Sequence, residues 1–302
     1  MRLALLVAAL ACLAAPAPAQ PLTPPASPAD GQPIPIGRSY TIHSRVLNED
    51  RVLNVFLPLS YGQGSQHYPV LLLLDGGAAQ DFHHISGLSQ LAWVNGAMQE
   101  FIVVGIETRT RIRELTPATT DPRYPAQLPN RGGAEDFRRY IAEEVIPWAT
   151  QRYRTTEDTA LMGESLAGLF VVDAFLRQPQ LVRRWIAVSP SLWWDARAVA
   201  HGAAARLAAG DFHGRSLYLT IGDDGGGSQD GVDQLVATLR RSPPRGLEFT
   251  YAPQPDQTHA TIYHRAALEA LTHIWGIETR VPRDMSAWWL WETDATQPRP
   301  SR

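Results

Sequence analysis

A serine lies between small residues in the segment MGESLAGL, residues 162–169. Gly163 precedes Ser165 by two positions and Ala167 follows it by two, with a short apolar run before them and a helix-like stretch after them. Small residues at these positions allow the sharp strand-to-helix turn that exposes a nucleophilic serine, although the usual pattern, G-x-S-x-G, ends in glycine. The position also suits a serine that only caps the N-terminus of a helix.

The order of residues along the chain helps to separate these two interpretations. A nucleophilic serine needs a general base, and in the fold that uses this turn an acid and then a histidine follow the serine. Asp223 and Asp224 follow an apolar run, and His259 lies just before the last predicted helix. We predict Ser165 as nucleophile with His259 as base. Asp224 is the favoured acid; Asp223 stays open, and both also suit a solvated glycine-rich turn.

Other histidines fit the role of base less well. His264 falls inside the predicted last helix, and His83 and His84 precede the serine, which is the wrong order for this fold. The sequence also lacks the H-E-x-x-H pattern and other regularly spaced ligand sets. We therefore predict neither a metal site nor a cofactor.

Acyl transfer to a serine also requires N–H donors for the oxyanion that develops on the substrate. One donor is expected from the residue after the nucleophile, Leu166, and the other from the loop that follows the third strand. That loop is the sequence LDGGA at residues 74–78. Gly77 is the first candidate for the second donor and Ala78 the alternative.

Elements that would hold these residues alternate along the chain. Apolar runs predict strands at residues 51–57, 70–74, 101–106, 159–162, 185–188, 217–221 and 247–251. Amphipathic stretches predict helices at residues 135–153, 166–177, 195–209, 230–240 and 261–275. Because parallel strands need crossover connections, this alternation predicts an α/β fold with a mainly parallel sheet covered by helices on both faces.

The first residues predict export. Arg2 precedes an apolar run at residues 3–15, and a small-x-small cleavage site follows at residues 17–19, so residues 1–19 match a secretory signal. The run is too short to span a membrane, and no stable membrane insertion is expected after its removal. The only cysteine, Cys12, lies within it, which excludes disulfides and thiolate catalysis from the mature chain. Lipoprotein anchoring at Cys12 is a minor alternative.

Composition defines the remaining organisation. Residues 20–36 are too rich in proline for a helix and are predicted to be a tether, followed by a single domain at residues 37–302. The 27 basic and 30 acidic residues are nearly balanced and form no basic block, so a nucleic-acid partner is not expected. The sequence contains no lysine, which excludes Ser-Lys dyads and Schiff-base chemistry.

Several stretches together resemble the esterase branch of the α/β-hydrolases, particularly the siderophore (enterobactin-type) trilactone esterases. The similar segments are PVLLLLDGGAAQDFHHISGL, RTRIRELTPATTDPR, MGESLAGLF and SPSLWWD. In that branch histidine is common where Glu164 stands, and glycine is common where Ala167 stands. The resemblance implies an α/β-hydrolase fold and serine-esterase chemistry on a small-molecule ester, with Ser165 as nucleophile and His259 as base.

Side chains that follow two other predicted strands suggest how a substrate is bound. Arg111 and Arg113 come after one strand and Trp193 and Trp194 after another, at the sheet edge where open parallel sheets bind ligands. Guanidinium and indole groups would suit an aromatic, oxygen-rich ester such as a catecholate trilactone. The arginines could instead pair with nearby acids, and the tryptophans could pack in the core. A general exported carboxylesterase, an acyltransferase and an inactive binding protein of the same fold remain alternatives.

Overall fold

The fold is described from a computed structural model, which covers residues 32, 34–119, 121–122, 124 and 130–277. The predicted signal at residues 1–19 and most of the predicted tether lie outside these residues. Their division from the domain therefore stays a prediction. Within the described part of the chain, no helix is both long enough and apolar enough to cross a membrane.

One sheet contains eight strands of the described residues. They are β1 (Arg38–Ser44), β2 (Glu49–Phe56), β3 (Tyr68–Leu74), β4 (Ile102–Ile106), β5 (Thr155–Glu164), β6 (Arg184–Val188), β7 (Arg215–Thr220) and β8 (Leu247–Tyr251). Their order across the sheet is β1-β2-β4-β3-β5-β6-β7-β8. The pairs β1–β2 and β2–β4 are antiparallel, and all other neighbours are parallel. The predicted α/β fold with a mainly parallel sheet is confirmed.

Helices connect most of the strands. They are α1 (Phe82–Asn95), α2 (Arg111–Leu115), α3 (Ala134–Tyr140), α4 (Ile146–Arg152), α5 (Leu166–Arg177), α6 (Trp194–His201), α7 (Ala203–Ala209), α8 (Gly226–Arg241) and α9 (Ile262–Trp275). A 3₁₀-helix at Leu59–Gln63 precedes β3, and a π-helix at Ile141–Val145 joins α3 to α4.

The core lies on both faces of the sheet. Alternate residues of one strand enter different apolar clusters: Leu72 and Leu74 of β3 belong to one, and Leu71 and Leu73 to the other. Successive side chains of a strand point to opposite faces, so the two clusters are the two covered faces. All seven residues of β3 are buried, which explains why its sequence is apolar throughout instead of alternating.

Four elements have no counterpart in the sequence prediction: β1, the 3₁₀-helix, α1 and the short helix α2. The strand β1 lies at the edge of the sheet and is mostly exposed, so its residues form no apolar run. The helix α1 contains Gly87, two histidines and two serines, which favour helix only weakly. Its buried side chains, among them Phe82, Ile85 and Leu88, supply the packing that outweighs this low propensity.

Three predicted helices have different bounds. The segment 135–153 is interrupted by the π-helix, because Pro147 has no N–H to continue the α-helical hydrogen bonding. The segment 195–209 is two helices that meet at Gly202, and residues 195–197 have positive φ. The helix predicted at 230–240 begins earlier, at Gly226, inside the glycine-rich loop.

Candidate active site

Ser165 occupies the sharp turn between β5 and α5. Its φ of 61° and ψ of −119° lie in a region that residues with a side chain rarely adopt. Backbone hydrogen bonds hold this conformation: Ser165 N donates to Val188 O at 3.0 Å, and Ser165 O accepts from the N–H groups of Leu169 and Ser191, each at 2.9 Å. A helix-capping role is not observed, since Ser165 makes no side-chain hydrogen bond to α5. The strain instead matches the turn that presents a nucleophile.

Small residues on either side allow the turn to close. A Cβ atom added to Gly163 would lie 2.6 Å from Ala167 Cβ and 2.7 Å from the Ala167 carbonyl carbon. These distances are too short for any side chain, so glycine is required at position 163. Alanine at position 167 is accommodated because the facing residue, Gly163, has no side chain of its own.

Loops after two further strands bring an imidazole and a carboxylate to Ser165. His259 Nε2 lies 3.0 Å from Ser165 Oγ, and His259 Nδ1 lies 2.8 Å from Asp224 Oδ2. The Asp224 side chain is only 2% exposed and also accepts a hydrogen bond from Ser189 Oγ at 3.3 Å. The structure thus brings together the predicted nucleophile, base and favoured acid.

The neighbouring aspartate has a different environment. Asp223 is exposed, and its backbone N–H donates to Gln257 O at 2.7 Å. This bond ties the loop that carries the carboxylate to the loop that carries His259. Of the two aspartates that the sequence left open, Asp224 is the one in contact with the imidazole.

Two loops offer N–H groups near the turn. Leu166 is the first residue of α5, so its N–H has no acceptor within the helix. The second loop comprises residues 75–80 after β3, and we call it the oxyanion loop. In it, Gly77 N donates to Gln80 Oε1 at 2.8 Å, whereas Ala78 N has no hydrogen-bond acceptor among the described residues. The first candidate, Gly77, therefore fits poorly because its N–H is already bonded, and the alternative, Ala78, fits better.

Comparison with known proteins identifies the family. The family model described as "Putative esterase" matches residues 44–260, well over half of the chain and including Ser165, Asp224 and His259. The chain belongs to this esterase family. The resemblance predicted from the sequence motifs is confirmed.

Individual members of the family give the degree of similarity. The chain is 29% identical over 168 residues to the ferri-bacillibactin esterase BesA of Bacillus subtilis, covering 49% of this chain and 56% of the relative. It is 29% identical over 196 residues to the siderophore triacetylfusarinine C esterase of Aspergillus fumigatus, covering 57% and 62%. The chain thus spans little more than half the length of these curated relatives.

A solved structure of the same type covers more of the chain. An IroE-like serine hydrolase from Shewanella oneidensis superimposes with a TM-score of 0.71 and 28% sequence identity. The superposition covers 79% of this chain and 80% of that structure. The esterase-family fold thus extends over most of both proteins.

In this esterase-family chain, the predicted substrate-binding arginines are paired with protein groups. Arg111 Nε donates to Asp75 Oδ2 at 2.8 Å, and Arg111 Nη2 donates to Glu164 O at 3.4 Å. Arg113 Nη2 donates to Glu49 Oε1 at 3.0 Å and lies 3.4 Å from Glu114 Oε1. Both side chains remain 39% exposed. The open alternative, that these arginines pair with acids, matches the structure.

The two predicted substrate-binding tryptophans differ. Trp194 is 1% exposed, packs against Tyr124 and donates from its indole nitrogen to Pro117 O at 3.1 Å. A buried ring cannot stack on a ligand, so Trp194 is a core residue and the substrate-binding prediction for it does not fit. Trp193 is 38% exposed and keeps a free surface.

Two carboxyl groups beside the turn were not among the predicted site residues. Burial raises the pKa of Glu164 to about 7; His259 and Arg111 act to lower this pKa, while Asp81 and Asp75 raise it further. Burial, reinforced by Asp75 and opposed by Arg111, raises the pKa of Asp81 to about 6. The sequence marked position 164 only as a departure from the histidine common in the family. Burial of its side chain became evident only in the fold.

The remaining candidate histidines lie in a separate contact. His84 Nε2 is 2.9 Å from His264 Nδ1, which joins α1 to α9, and the two rings stack. His264 is exposed and contacts His84 instead of Ser165, in agreement with the prediction that it is not the base. Among the described residues, no group of three or more histidine, cysteine or acidic side chains is placed to hold a metal ion.

Proposed function

We propose that this chain is an exported serine hydrolase that cleaves carboxylic esters through an acyl-enzyme on Ser165. The observation that carries the proposal is the hydrogen-bond chain Asp224–His259–Ser165, with distances of 2.8 Å and 3.0 Å, at a serine of positive φ. A serine hydroxyl becomes a good nucleophile only when a base removes its proton and the backbone presents it. The contact with His259 and the sharp turn at Ser165 support both conditions.

Acylation follows from this geometry. His259 Nε2 takes the proton of Ser165 Oγ as the oxygen attacks the ester carbonyl carbon, and Asp224 holds the imidazole in the tautomer that can accept it. The N–H of Leu166 and the N–H of Ala78 stabilise the oxyanion of the tetrahedral intermediate. Collapse of the intermediate breaks the ester C–O bond, and the alcohol leaves with the proton held by His259.

Deacylation repeats the same steps with water. His259 removes a proton from water, which attacks the acyl-enzyme carbonyl carbon. Collapse of the second tetrahedral intermediate breaks the bond to Ser165 Oγ and releases the acid, and His259 returns the proton to Ser165 Oγ. The chemistry uses only side chains and backbone N–H groups of this chain and requires no cofactor.

The proposed substrate is a small-molecule ester, with a siderophore-type trilactone as the specific candidate. Its support is that the relatives at 29% identity are named as esterases of ferri-bacillibactin and of triacetylfusarinine C. The exposed face of Trp193 could stack on an aromatic ring of such a substrate. Export to the periplasm or the medium is proposed on the signal-like residues 1–19.

The proposal is tested with purified wild-type protein. We expect turnover of short p-nitrophenyl esters and covalent labelling of Ser165 by a fluorophosphonate. Failure of both would leave a binding protein of the esterase fold. Added alcohol acceptors would reveal an acyltransferase if the acyl group appears mainly on the alcohol instead of in the free acid.

Substrate class requires a second comparison. Turnover of a catecholate trilactone, with and without ferric iron, is measured against simple acyl and feruloyl esters. If the trilactone is cleaved no faster than a simple ester, the siderophore assignment fails and the general carboxylesterase remains.

A further inference from the structure

Arg111 bonds to both loops that surround the reactive serine. Its Nε donates to Asp75 Oδ2 at 2.8 Å, at the start of the oxyanion loop. Its Nη2 donates to the backbone carbonyl of Glu164, the residue before the nucleophile, at 3.4 Å. Asp75 follows β3 and Glu164 is the last residue of the neighbouring strand β5, yet the described residues contain no backbone hydrogen bond between the oxyanion loop and residues 164–166. Arg111 therefore connects two loops that the sheet itself leaves unconnected at this edge.

The oxyanion loop is also fixed on its other side. Thr108, which is buried, donates from its hydroxyl to Asp75 Oδ1, and its backbone carbonyl accepts from Gln80 Nε2 at 3.0 Å. Gln80 Oε1 in turn accepts from Gly77 N at 2.8 Å. The side chain of Gln80 thereby holds the backbone of Gly77 and of Thr108, and the carboxylate of Asp75 is shared between Thr108 and Arg111.

We propose that Arg111 is a positioning residue, which sets the spacing between the N–H groups of Ala78 and Leu166 by tying the oxyanion loop to the nucleophile turn. This inference rests on the proposed esterase function, because the spacing matters only if an oxyanion forms between the two donors. Misplacing such donors by about 1 Å is enough to cost on the order of 100-fold in rate.

The same contacts disfavour a substrate-binding role for Arg111. Its guanidinium already donates to a carboxylate and to a carbonyl, and the acids Asp81 and Glu164 lie close enough to act on it electrostatically. A substrate anion would have to displace Asp75 and enter a region with more acids than bases. A guanidinium also suits the observed role, because its planar fork can hold two acceptors at fixed geometry, which a lysine ammonium does less well.

The experiment compares kcat and KM of three variants on a neutral p-nitrophenyl ester, which carries no anionic group for an arginine to bind. Arg111→Met removes both bonds, Arg111→Lys keeps the charge, and Asp75→Asn weakens the partner; asparagine tolerates the positive φ of 51° found at position 75. The matched control is Arg184→Met. Arg184 Nε pairs with Asp158 Oδ1 at 2.7 Å, where β6 begins, at the opposite edge of the sheet from Ser165.

We expect Arg111→Met to lower kcat by about 30- to 100-fold with KM changed less than about threefold. Arg111→Lys should lower log kcat by no more than about two thirds of the drop seen in Arg111→Met. Asp75→Asn should also lower kcat by about tenfold or more. Arg184→Met should keep kcat within about twofold. The affinity for a boronic acid, which mimics the tetrahedral intermediate, should fall in parallel with kcat.

Other results distinguish a failure of the positioning role from a failure of the proposed esterase function. If the wild type and Arg184→Met turn over the ester and Arg111→Met retains its kcat, positioning by Arg111 is overturned while the esterase function stands. A rise in KM alone would assign Arg111 to substrate binding and would equally overturn the positioning role. If the wild type itself turns over no ester, the function and the inference fail together. Should Arg111→Met not fold, Arg111→Lys and Asp75→Asn decide the outcome by the same criteria.

Discussion

Nε2 of His259 lies 3.0 Å from Oγ of Ser165, although 94 positions separate the two residues in the chain. Ser165 follows β5, and His259 lies in the loop between β8 and α9. Because the strands β5 to β8 are neighbours in sequence order and all parallel, their carboxyl ends meet at one edge of the sheet. The contact is therefore a direct consequence of the sheet order.

The first prediction concerns the nucleophile. Ser165→Ala removes the attacking oxygen. We expect kcat for p-nitrophenyl esters to fall by about 10⁴-fold or more, since the nucleophile, base and acid act together as one catalytic unit. Ser191→Ala is the matched control, because its hydroxyl lies 3.4 Å from that of Ser165 but has no contact with His259. It should stay within about tenfold of the wild type. Equal losses in both variants would contradict the assignment of Ser165.

The second prediction concerns the base. His259→Ala should reduce kcat about as much as Ser165→Ala, because no other imidazole contacts the serine among the described residues. His264→Ala should retain most activity, since that ring contacts His84 instead. The measurement is steady-state turnover at saturating ester. Loss of turnover in His264→Ala with retention in His259→Ala would assign the base to His264, in α9.

The third prediction separates the two adjacent aspartates. Asp224→Asn keeps the shape of the side chain but no longer favours the imidazole tautomer that accepts the serine proton, so we expect kcat to fall by about 10³- to 10⁴-fold. Asp223→Asn should change kcat by less than about threefold, because the Asp223 side chain is exposed. The two variants carry the same substitution at neighbouring positions, so a larger loss in Asp223→Asn would reverse the assignment.

Much of this arrangement follows from sequence patterns. The alternation of apolar and amphipathic runs predicts the parallel sheet, and the order serine, acid, histidine predicts which loops meet. The choice of Asp224 over Asp223 could not be decided in this way, because both follow β7 within one glycine-rich loop. It depends on which carboxylate the loop buries against Ser189, a contact 35 positions away in the chain.

The hydrogen-bond partners of single groups and the burial of single rings could not be predicted from the sequence. Nothing in the segment LDGGA shows that the N–H of Gly77 is bonded to Gln80 while that of Ala78 has no acceptor within the described part of the chain. Likewise, the spacing of Trp193 and Trp194 does not reveal which ring faces the core, since the chain turns through left-handed conformations directly after them. Packing against Tyr124 determines that Trp194 is the buried one.

The fourth prediction concerns backbone space at the turn. Gly163→Ala would place a Cβ atom 2.6 Å from Ala167 Cβ, so we expect the free energy of unfolding to fall by about 2 kcal/mol or more. Gly87→Ala is the matched control, because a Cβ atom added to this exposed glycine of α1 meets nothing within 4 Å. It should raise the free energy of unfolding by about 0.5–1 kcal/mol through helix propensity. Urea titration of both variants measures the contrast, and similar effects of the two substitutions would contradict it.

The fifth prediction concerns the pH dependence that Glu164 contributes to stability. Burial raises the pKa of Glu164 from an ordinary value of 4.5 to about 7 in the folded protein. The folded state therefore binds this proton more tightly than the unfolded chain, so the stabilising effect of the protonated form is full below pH 4.5 and is lost as the pH rises to about 7. Above that pH, the wild type carries the cost of a partly buried charge.

Glu164→Gln removes this cost, since its amide stays neutral at every pH. At pH 4.5 we expect the free energies of unfolding of the variant and the wild type to be equal. At pH 8.5 that of the variant should be higher by about 1 kcal/mol, a value reduced for the partial solvent exposure of the group. Glu157→Gln is the control, because Glu157 is an exposed residue of the same strand, β5, and the substitution should give no gain that depends on pH. Urea titrations at both pH values measure the difference. A gain of the same size at both pH values would mean that Glu164→Gln acts through packing, and would contradict a role for the buried charge.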